Sequence, residues 1–323
     1  MMEPSVRTNT AEQVEAALRD ELARGNAMVE TVVPIVRHLI TNDDNSVFSD
    51  EILARVRGMT SDLAEQLLDA FVAADGADRA ADHSPGRVAA LAQALIDNPG
   101  LLAHVHALAI EWQLTERLQA RLSLDPVVPP LLQALVASPD GVTQELAMRA
   151  LAAQARFGQA QRRMKLALAE LPGEQLHAAL IALRTQAARD MPAAERAAIA
   201  ERNIRAAYDE AANRLGLMAR LVHGMGHTAS GALSVTHAGV AIFTTALALF
   251  TGQNRDTVVL SLHETQVARL ALGLRAAGLR PASVEEQFLA LHPEIALPEG
   301  FERLGPDRAA AILASDVPED SEA

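Results

Sequence analysis

The chain has 323 residues and a formal net charge of −13; half of its residues are apolar and only 3% are aromatic. Its abundant alanine and leucine favour helices, whereas strands are enriched in β-branched and aromatic residues, so the composition predicts an all-α protein. The acidic charge argues against general nucleic-acid binding, and the absence of cysteine excludes disulfides and thiolate chemistry and fits a reducing, cytoplasmic compartment.

The N-terminal part is predicted to be a helical unit over residues 10–75. Thr10 and Gln13 match a capping box, in which each side chain binds the backbone N–H of the other at the start of a helix. Residues 1–9 are predicted to be disordered, and the polar, acidic residues 76–84 are predicted to be a linker. The helices expected in this unit cover about residues 11–25, 27–41, 48–57 and 61–74.

Residues 84–222 repeat themselves at an interval of about 40 residues. Residues 91–99 are echoed by residues 131–139, and the Pro-Gly pair at 99–100 is echoed at 172–173. Each echo is predicted to be a helix, a proline-containing turn and a second helix. Helix pairs at this period are typical of HEAT-like stacks, so we expect an irregular helical repeat array. Chance similarity in a sequence rich in Ala, Leu and Gln is the alternative, and it would leave a multi-helix bundle.

A basic stripe is expected on one face of a helix over about residues 142–170. It consists of arginines every seven residues, with two further basic residues beside the last: Arg149, Arg156 and Arg163, then Arg162 and Lys165. Residues 151–250 carry a net charge of +4, so an acidic partner would be attracted here. The stripe is predicted to bind such a partner; the alternative is an ordinary solvated face.

After a long helix expected over residues 192–222, the chain loses its charged residues. Residues 221–254 contain no Asp, Glu, Lys or Arg, although 21% of the chain is charged. The C-terminal region, residues 223–314, is therefore predicted to surround a buried apolar helix over residues 232–251. A membrane span over residues 232–250 is the alternative, but its Ser, Thr and His residues and the lack of flanking aromatic residues argue against it.

Three histidines offer a second alternative, a metal-dependent enzyme. His223 and His227 are four residues apart, as in the paired zinc ligands of helical hydrolase motifs, and His237 follows. Gly224 and Gly226 interrupt that spacing, and the glutamate of the hydrolase motif is absent. The glycine-rich residues 224–231 are either a site or a structural corner; no strand is expected before them and no phosphate-binding lysine follows, so no cofactor is predicted.

Part of the C-terminal region resembles a known family. Gly239, residues 243–249 (FTTALAL), Gly252, Val259 and residues 272–279 (LGLRAAGL) are similar to an uncharacterised bacterial helical family, domain of unknown function 2336. The resemblance covers about 40 residues, and it implies a helical, HEAT-like protein whose activity is not known. It assigns no functional residues.

These observations favour a non-enzymatic scaffold or regulatory module that binds another protein. The expected partner has an acidic surface and is not a nucleic acid, and the sequence leaves a homo-oligomer open. Residues 315–323 are predicted to be a disordered acidic tail.

Overall fold

A computed structural model of the protein describes residues 10–42, 50–74, 84–188 and 190–315. Within these residues the chain forms α-helices joined by turns and 3-10 segments and contains no strand, which confirms the predicted all-α class. The predicted disordered ends and the predicted linker lie outside the described residues, apart from Ser84 and Ser315. The helices in chain order are α1 (Ala11–Asn42), α2 (Asp50–Ala73), α3 (Pro85–Ile96), α4 (Pro99–Leu122), α5 (Pro130–Val136), α6 (Gly141–Gln161), α7 (Gly173–Ala187), α8 (Met191–Ala207), α9 (Arg214–Gly224), α10 (Val235–Thr251), α11 (Arg255–Ser261), α12 (Val267–Ala276), α13 (Pro281–Leu291) and α14 (Pro306–Ala314).

The N-terminal part contains two long helices where the sequence predicts four short ones. The capping box at the start of α1 is confirmed, since the Thr10 N–H donates to Gln13 Oε1 at 2.8 Å and the Gln13 N–H donates to Thr10 Oγ1 at 3.3 Å. α2 runs through its predicted break near residue 58 because Met59, Leu63 and Leu67 extend one buried stripe across it. Tertiary burial therefore outweighs the low helix propensity of glycine at position 58.

Buried apolar side chains form two cores. The first core contains α2, α3, α7, α8 and the first half of α4. The second contains α5, α6 and α9 to α14. Three helices contribute to both cores, α1 with Val36 and Val14, α4 with Trp112 and Leu118, and α6 with Phe157 and Ala153.

Some helices from different predicted units (10–75, 84–222 and 223–314) pack against each other, and the division of the chain into these units remains a prediction. α5 comes from the predicted repeat region but packs against α10, and α1 packs against α12. In a regular linear stack each helix pair contacts only its neighbours, so contacts between helices as distant in sequence as α1 and α12 depart from a simple linear stack. The 40-residue repeat remains a prediction from the sequence.

α10 lies in the second core, as the charge-free run predicts. Every side chain from Ala238 to Ala248 is buried. The helix begins at Val235 rather than at residue 232, because residues 226–233 form a 3-10 segment. It is also broken at Gly239, whose φ of 72° and ψ of 164° are in practice open only to glycine.

The helix expected over residues 192–222 is two helices, α8 and α9. Tyr208 and Asp209 are extended between them, and the Tyr208 hydroxyl donates to the Leu171 carbonyl at 2.8 Å. α9 then begins where the Gly216 N–H donates to Asn213 Oδ1 at 2.7 Å. A tertiary anchor and a side-chain cap thus end one helix and begin the next.

Candidate functional site

α6 has one buried face and one exposed face. Arg149 and Arg156 lie on the exposed face. The buried positions of α6 recur every three or four residues and so lie on one face of the helix. Arg149 and Arg156 fall between these positions and therefore face solvent. The buried face includes Ala147, Ala150, Ala153, Phe157 and Gln161.

The first turn of α6 is held by a side-chain cap. Asp140 Oδ2 accepts the backbone N–H of Thr143 at 2.9 Å and the Thr143 hydroxyl at 2.6 Å. These hydrogen bonds lower the pKa of the Asp140 carboxyl. The cap orders the first turn of α6, which precedes both arginines in the chain.

The buried face of α6 packs mainly against α9 and α5, and its C-terminal part also contacts Trp112 of α4. A Cβ added to Gly158 would lie 3.2 Å from the Trp112 ring, so a larger residue here would require the ring to shift by a few tenths of an ångström. The Trp112 and Phe157 rings meet edge to face with their centroids 6.1 Å apart. Close packing restricts movement of α6, so the backbone positions of its exposed residues are fixed as well.

The helix predicted over residues 142–170 ends much earlier, at Gln161. The Lys165 N–H donates to the Ala160 carbonyl at 2.9 Å and the Met164 N–H donates to the Gln161 carbonyl at 3.0 Å, the two bonds of a Schellman motif. Met164 has a φ of 54°, which reverses the chain direction. Arg163 therefore lies in a turn beyond α6 and not on the helical stripe of Arg149.

α2 holds this turn in place. Gln66 Nε2 donates to the Leu166 carbonyl at 2.8 Å, and Gln66 Oε1 accepts the Leu168 N–H at 2.9 Å. Asp62 Oδ2 accepts the Leu166 N–H at 3.2 Å. The early end of α6 is thus the result of contacts with residues about 100 positions earlier in the chain.

We use the term basic surface for four exposed arginines, two on α6 and two in the turn after it. None of them forms an ion pair with a residue that the structure describes. Some other arginines pair, since Arg205 lies 2.9 Å from Glu201 and Arg308 lies 2.7 Å from Glu15, whereas Arg202 and Arg280 are exposed and form no ion pair with a described residue. The basic surface consists of Arg149, Arg156, Arg162 and Arg163.

Lys165, which the sequence groups with these arginines, has a different role. Its ammonium nitrogen lies 2.9 Å from Asp62 Oδ1. The hydrogen bond to Asp62 raises the pKa of Lys165. Because its charge is compensated, Lys165 helps to hold the turn against α2 and is not part of the basic surface.

The three histidines of the alternative metal site are all exposed. His223 lies in the last turn of α9, His227 in the 3-10 segment Gly226–Leu233, and His237 in the first turn of α10. Across the described residues, no three His, Cys, Asp or Glu side chains are grouped so that they could hold a metal ion. The arrangement therefore lends the metal hypothesis no support.

The glycine-rich residues between these histidines form a corner. The 3-10 segment Gly226–Leu233 and α10 meet at an angle of 109°. In the part of the chain that the structure describes, no single helix is long and apolar enough to cross a membrane. The 3-10 segment and α10 reach that length and apolar character only when they are counted as one bent pair.

A buried ion cluster beneath α6 was missed by the sequence reasoning. Glu111 of α4 accepts hydrogen bonds from Arg214 at 2.6 Å and from Arg255 at 2.9 Å, and the side chains of Glu111 and Arg214 are each 1% exposed. The Arg214 guanidinium carbon lies 3.6 Å from the centroid of the Phe157 ring. Burial raises the pKa of Glu111, but the two guanidinium groups outweigh it and lower the pKa to about 2. The cluster joins α4, α9 and α11 and contacts the buried face of α6.

The sequence holds one signal for this cluster. Glu111 is the only charged residue between positions 98 and 115, a stretch rich in apolar side chains, and a lone carboxylate in such a helix is expected to have a buried partner. The partner Arg214 is 103 residues away, so local patterns do not identify it.

Buried histidines also line α4. His104 Nδ1 lies 2.8 Å from Asp256 Oδ2, and the His104 side chain is 1% exposed. Burial, together with the nearby His263, lowers the pKa of His106 to about 4. Burial also lowers the pKa of His292. His106 is accordingly neutral at pH 7, as expected of a structural residue in a helix interface.

No protein-family model, curated protein or solved structure matches the chain. The resemblance to domain of unknown function 2336 therefore remains a prediction.

Proposed function

We propose that this protein is a non-enzymatic scaffold or regulatory module that binds another protein through its basic surface. The observation that carries the proposal is the set of four exposed arginines without an ion pair to any described residue, in a chain whose net charge is −13. The proposed partner presents carboxylates. The proposal includes a cytoplasmic location, which the cysteine-free sequence supports.

Local charge supports an acidic partner. Arg162 and Arg163 are adjacent in the chain, and Arg149 and Arg156 share the exposed face of α6. Like charges held close together repel one another, and carboxylates from outside would relieve that repulsion. Unpaired arginines also attract an acidic surface over a distance of roughly 8 Å at physiological salt.

The rigid base of the surface supports binding as well. The contact between Gly158 and Trp112 holds α6, and the hydrogen bonds of Gln66 hold the turn. A surface that is already ordered loses less conformational entropy when a partner binds.

The expected affinity is modest and sensitive to salt. Ion pairs between exposed side chains contribute about 0.2–1 kcal/mol each, and salt screens them. Charge at such a surface mainly raises the association rate and selects the partner.

Affinity capture with charge reversal tests the proposal. The full chain is immobilised and exposed to a lysate of the source organism, and bound proteins are identified by mass spectrometry. The Arg149→Glu/Arg156→Glu variant should lose acidic proteins that the wild type retains. The matched control is Arg202→Glu/Arg280→Glu, which reverses two exposed arginines that lie outside the basic surface and likewise form no ion pair with a described residue.

Circular dichroism confirms that both variants fold. Loss from the α6 variant alone, together with release by added NaCl, supports the proposal. If both variants retain the same proteins as the wild type, the basic surface is not the docking site.

A further inference from the structure

The two arginines on α6 form a pair of anion sites with a defined spacing. Arg149 and Arg156 are seven residues apart on one helix. Seven residues advance about 10.5 Å along an α-helix and return to within about 20° of the same direction. A partner that pairs with both must therefore place two carboxylates about 10 Å apart on one line.

This spacing discriminates between partner conformations. Side chains on one face of an extended strand recur about every 6.6 Å, so the nearest available spacings are about 6.6 and 13 Å. A helix lying alongside α6 reproduces the spacing of α6 itself, with carboxylates at positions i and i+7. A helical partner thus matches the spacing of the two arginines more closely than an extended one.

Two side chains beside the arginines suit a helix, although the exposed Glu145 lies on the same face of α6, four residues before Arg149. Ala152 lies between Arg149 and Arg156 and is exposed, so its small side chain leaves room for close approach. Val142 lies seven residues before Arg149 on the same line and is 77% exposed. Close approach over a small residue, with an apolar contact at one end, is how helices pack against each other.

We infer that the partner docks an acidic amphipathic α-helix along α6, with carboxylates at i and i+7 facing Arg149 and Arg156 and an apolar residue between them over Ala152. This inference rests on the proposed function and adds the conformation and sequence spacing of the bound segment.

Two synthetic peptides of identical composition, each stapled as a helix and fluorescently labelled, test the inference. The in-register peptide carries glutamates at i and i+7 with a leucine at i+3. The shifted peptide carries the glutamates at i and i+5, which places them about 140° apart around the helix axis. Fluorescence anisotropy with the full chain at low salt gives both values of Kd.

The in-register peptide should bind about two- to fivefold more tightly, because it forms two ion pairs where the shifted peptide forms one. Arg149→Glu/Arg156→Glu should remove this preference, and Arg202→Glu/Arg280→Glu should retain it.

Equal Kd values for the two peptides overturn the inference. If lysate proteins are still lost from the α6 variant in that case, the basic surface stands and only the helical register is wrong. Vesicles containing phosphatidylserine provide a further comparison. Binding of these vesicles through Arg149 and Arg156, with no preference between the peptides, would overturn both proposals in favour of a membrane surface.

Discussion

Gly58 of α2 and Met164 of the turn after α6 are in such close contact that a Cβ at Gly58 would lie 2.6 Å from Met164 Cβ. Met164 also has a left-handed backbone, which costs a non-glycine residue roughly 1–2 kcal/mol. Contacts with α2 hold this conformation, and that conformation determines where Arg162 and Arg163 lie. α2 therefore shapes one half of the basic surface without contributing an arginine to it.

Gly58→Ala should destabilise the protein although alanine is the better helix former. The new methyl group would also lie 2.7 Å from the Met164 carbonyl oxygen, which is backbone and cannot rotate away. We expect a loss of about 2 kcal/mol in the free energy of unfolding, measured by urea denaturation. Gly86→Ala in α3 is the matched control, because nothing lies within 4 Å of its added Cβ. It should leave stability unchanged or raise it, and an equal loss in both variants would rule out the proposed clash.

Gly239→Ala should also be destabilising, for a conformational reason. At Gly239 φ is 72° and ψ is 164°, and an added Cβ would meet the Pro129 ring at 3.1 Å. Holding alanine in this backbone conformation costs about 1–3 kcal/mol of the free energy of unfolding, and the contact with Pro129 increases the loss. Gly252→Ala, with a φ of 67° and open space around it, should cost only about 1 kcal/mol. Equal losses in urea denaturation would mean that the break in α10 imposes no special constraint.

Much of the fold follows from the sequence by local rules. The all-α class depends on composition. The capping box depends on two residues three positions apart, Thr10 and Gln13. The burial of the charge-free run depends on the apolar side chains of one helix. The end of α6 does not, because it depends on Asp62 and Gln66, and the pairing of Glu111 with Arg214 joins helices 103 residues apart. For the same reason the sequence identifies the arginines of the basic surface but does not show that Lys165 is already paired.

Glu111→Gln should cost about 3–5 kcal/mol at neutral pH, because it leaves Arg214 charged and buried without its carboxylate. Replacing both members of the most deeply buried pair, with Glu111→Leu and Arg214→Met, should recover part of that loss, because the buried Arg214 charge is removed. Arg255 also loses its carboxylate in this variant, but it is 13% exposed and keeps its hydrogen bonds to the Thr244 and Thr245 hydroxyls. Urea denaturation compares the two. A double variant no more stable than the single one would contradict the assignment of the loss to unpaired charge.

Acid should weaken the fold in two windows. In the folded state the pKa of His106 is about 4, against an ordinary 6.5, so between these values the unfolded chain binds more protons and the free energy of unfolding falls as pH falls. From pH 7 to pH 5 the expected loss at this residue is about 2 kcal/mol. Glu111 also lowers the free energy of unfolding as the pH falls from about 4.5 to about 2, because its pKa is lower in the folded state than in the unfolded state. Urea denaturation at pH 7 and pH 5 measures the first window.

His106→Gln removes the titrating group and should reduce the loss between pH 7 and pH 5. An unchanged loss in this variant would show that His106 does not bind protons differently in the folded and unfolded states.

A charge swap between the basic surface and its ligand is the most direct measurement. The in-register peptide and a version in which both glutamates are replaced by lysine are titrated against the wild type and Arg149→Glu/Arg156→Glu by fluorescence anisotropy. We expect each peptide to bind only the protein of opposite charge, with the swapped pair restored to within a few-fold of the original Kd. If the lysine peptide fails to bind the reversed variant, or the acidic peptide binds both proteins equally, Arg149 and Arg156 are not the contact residues.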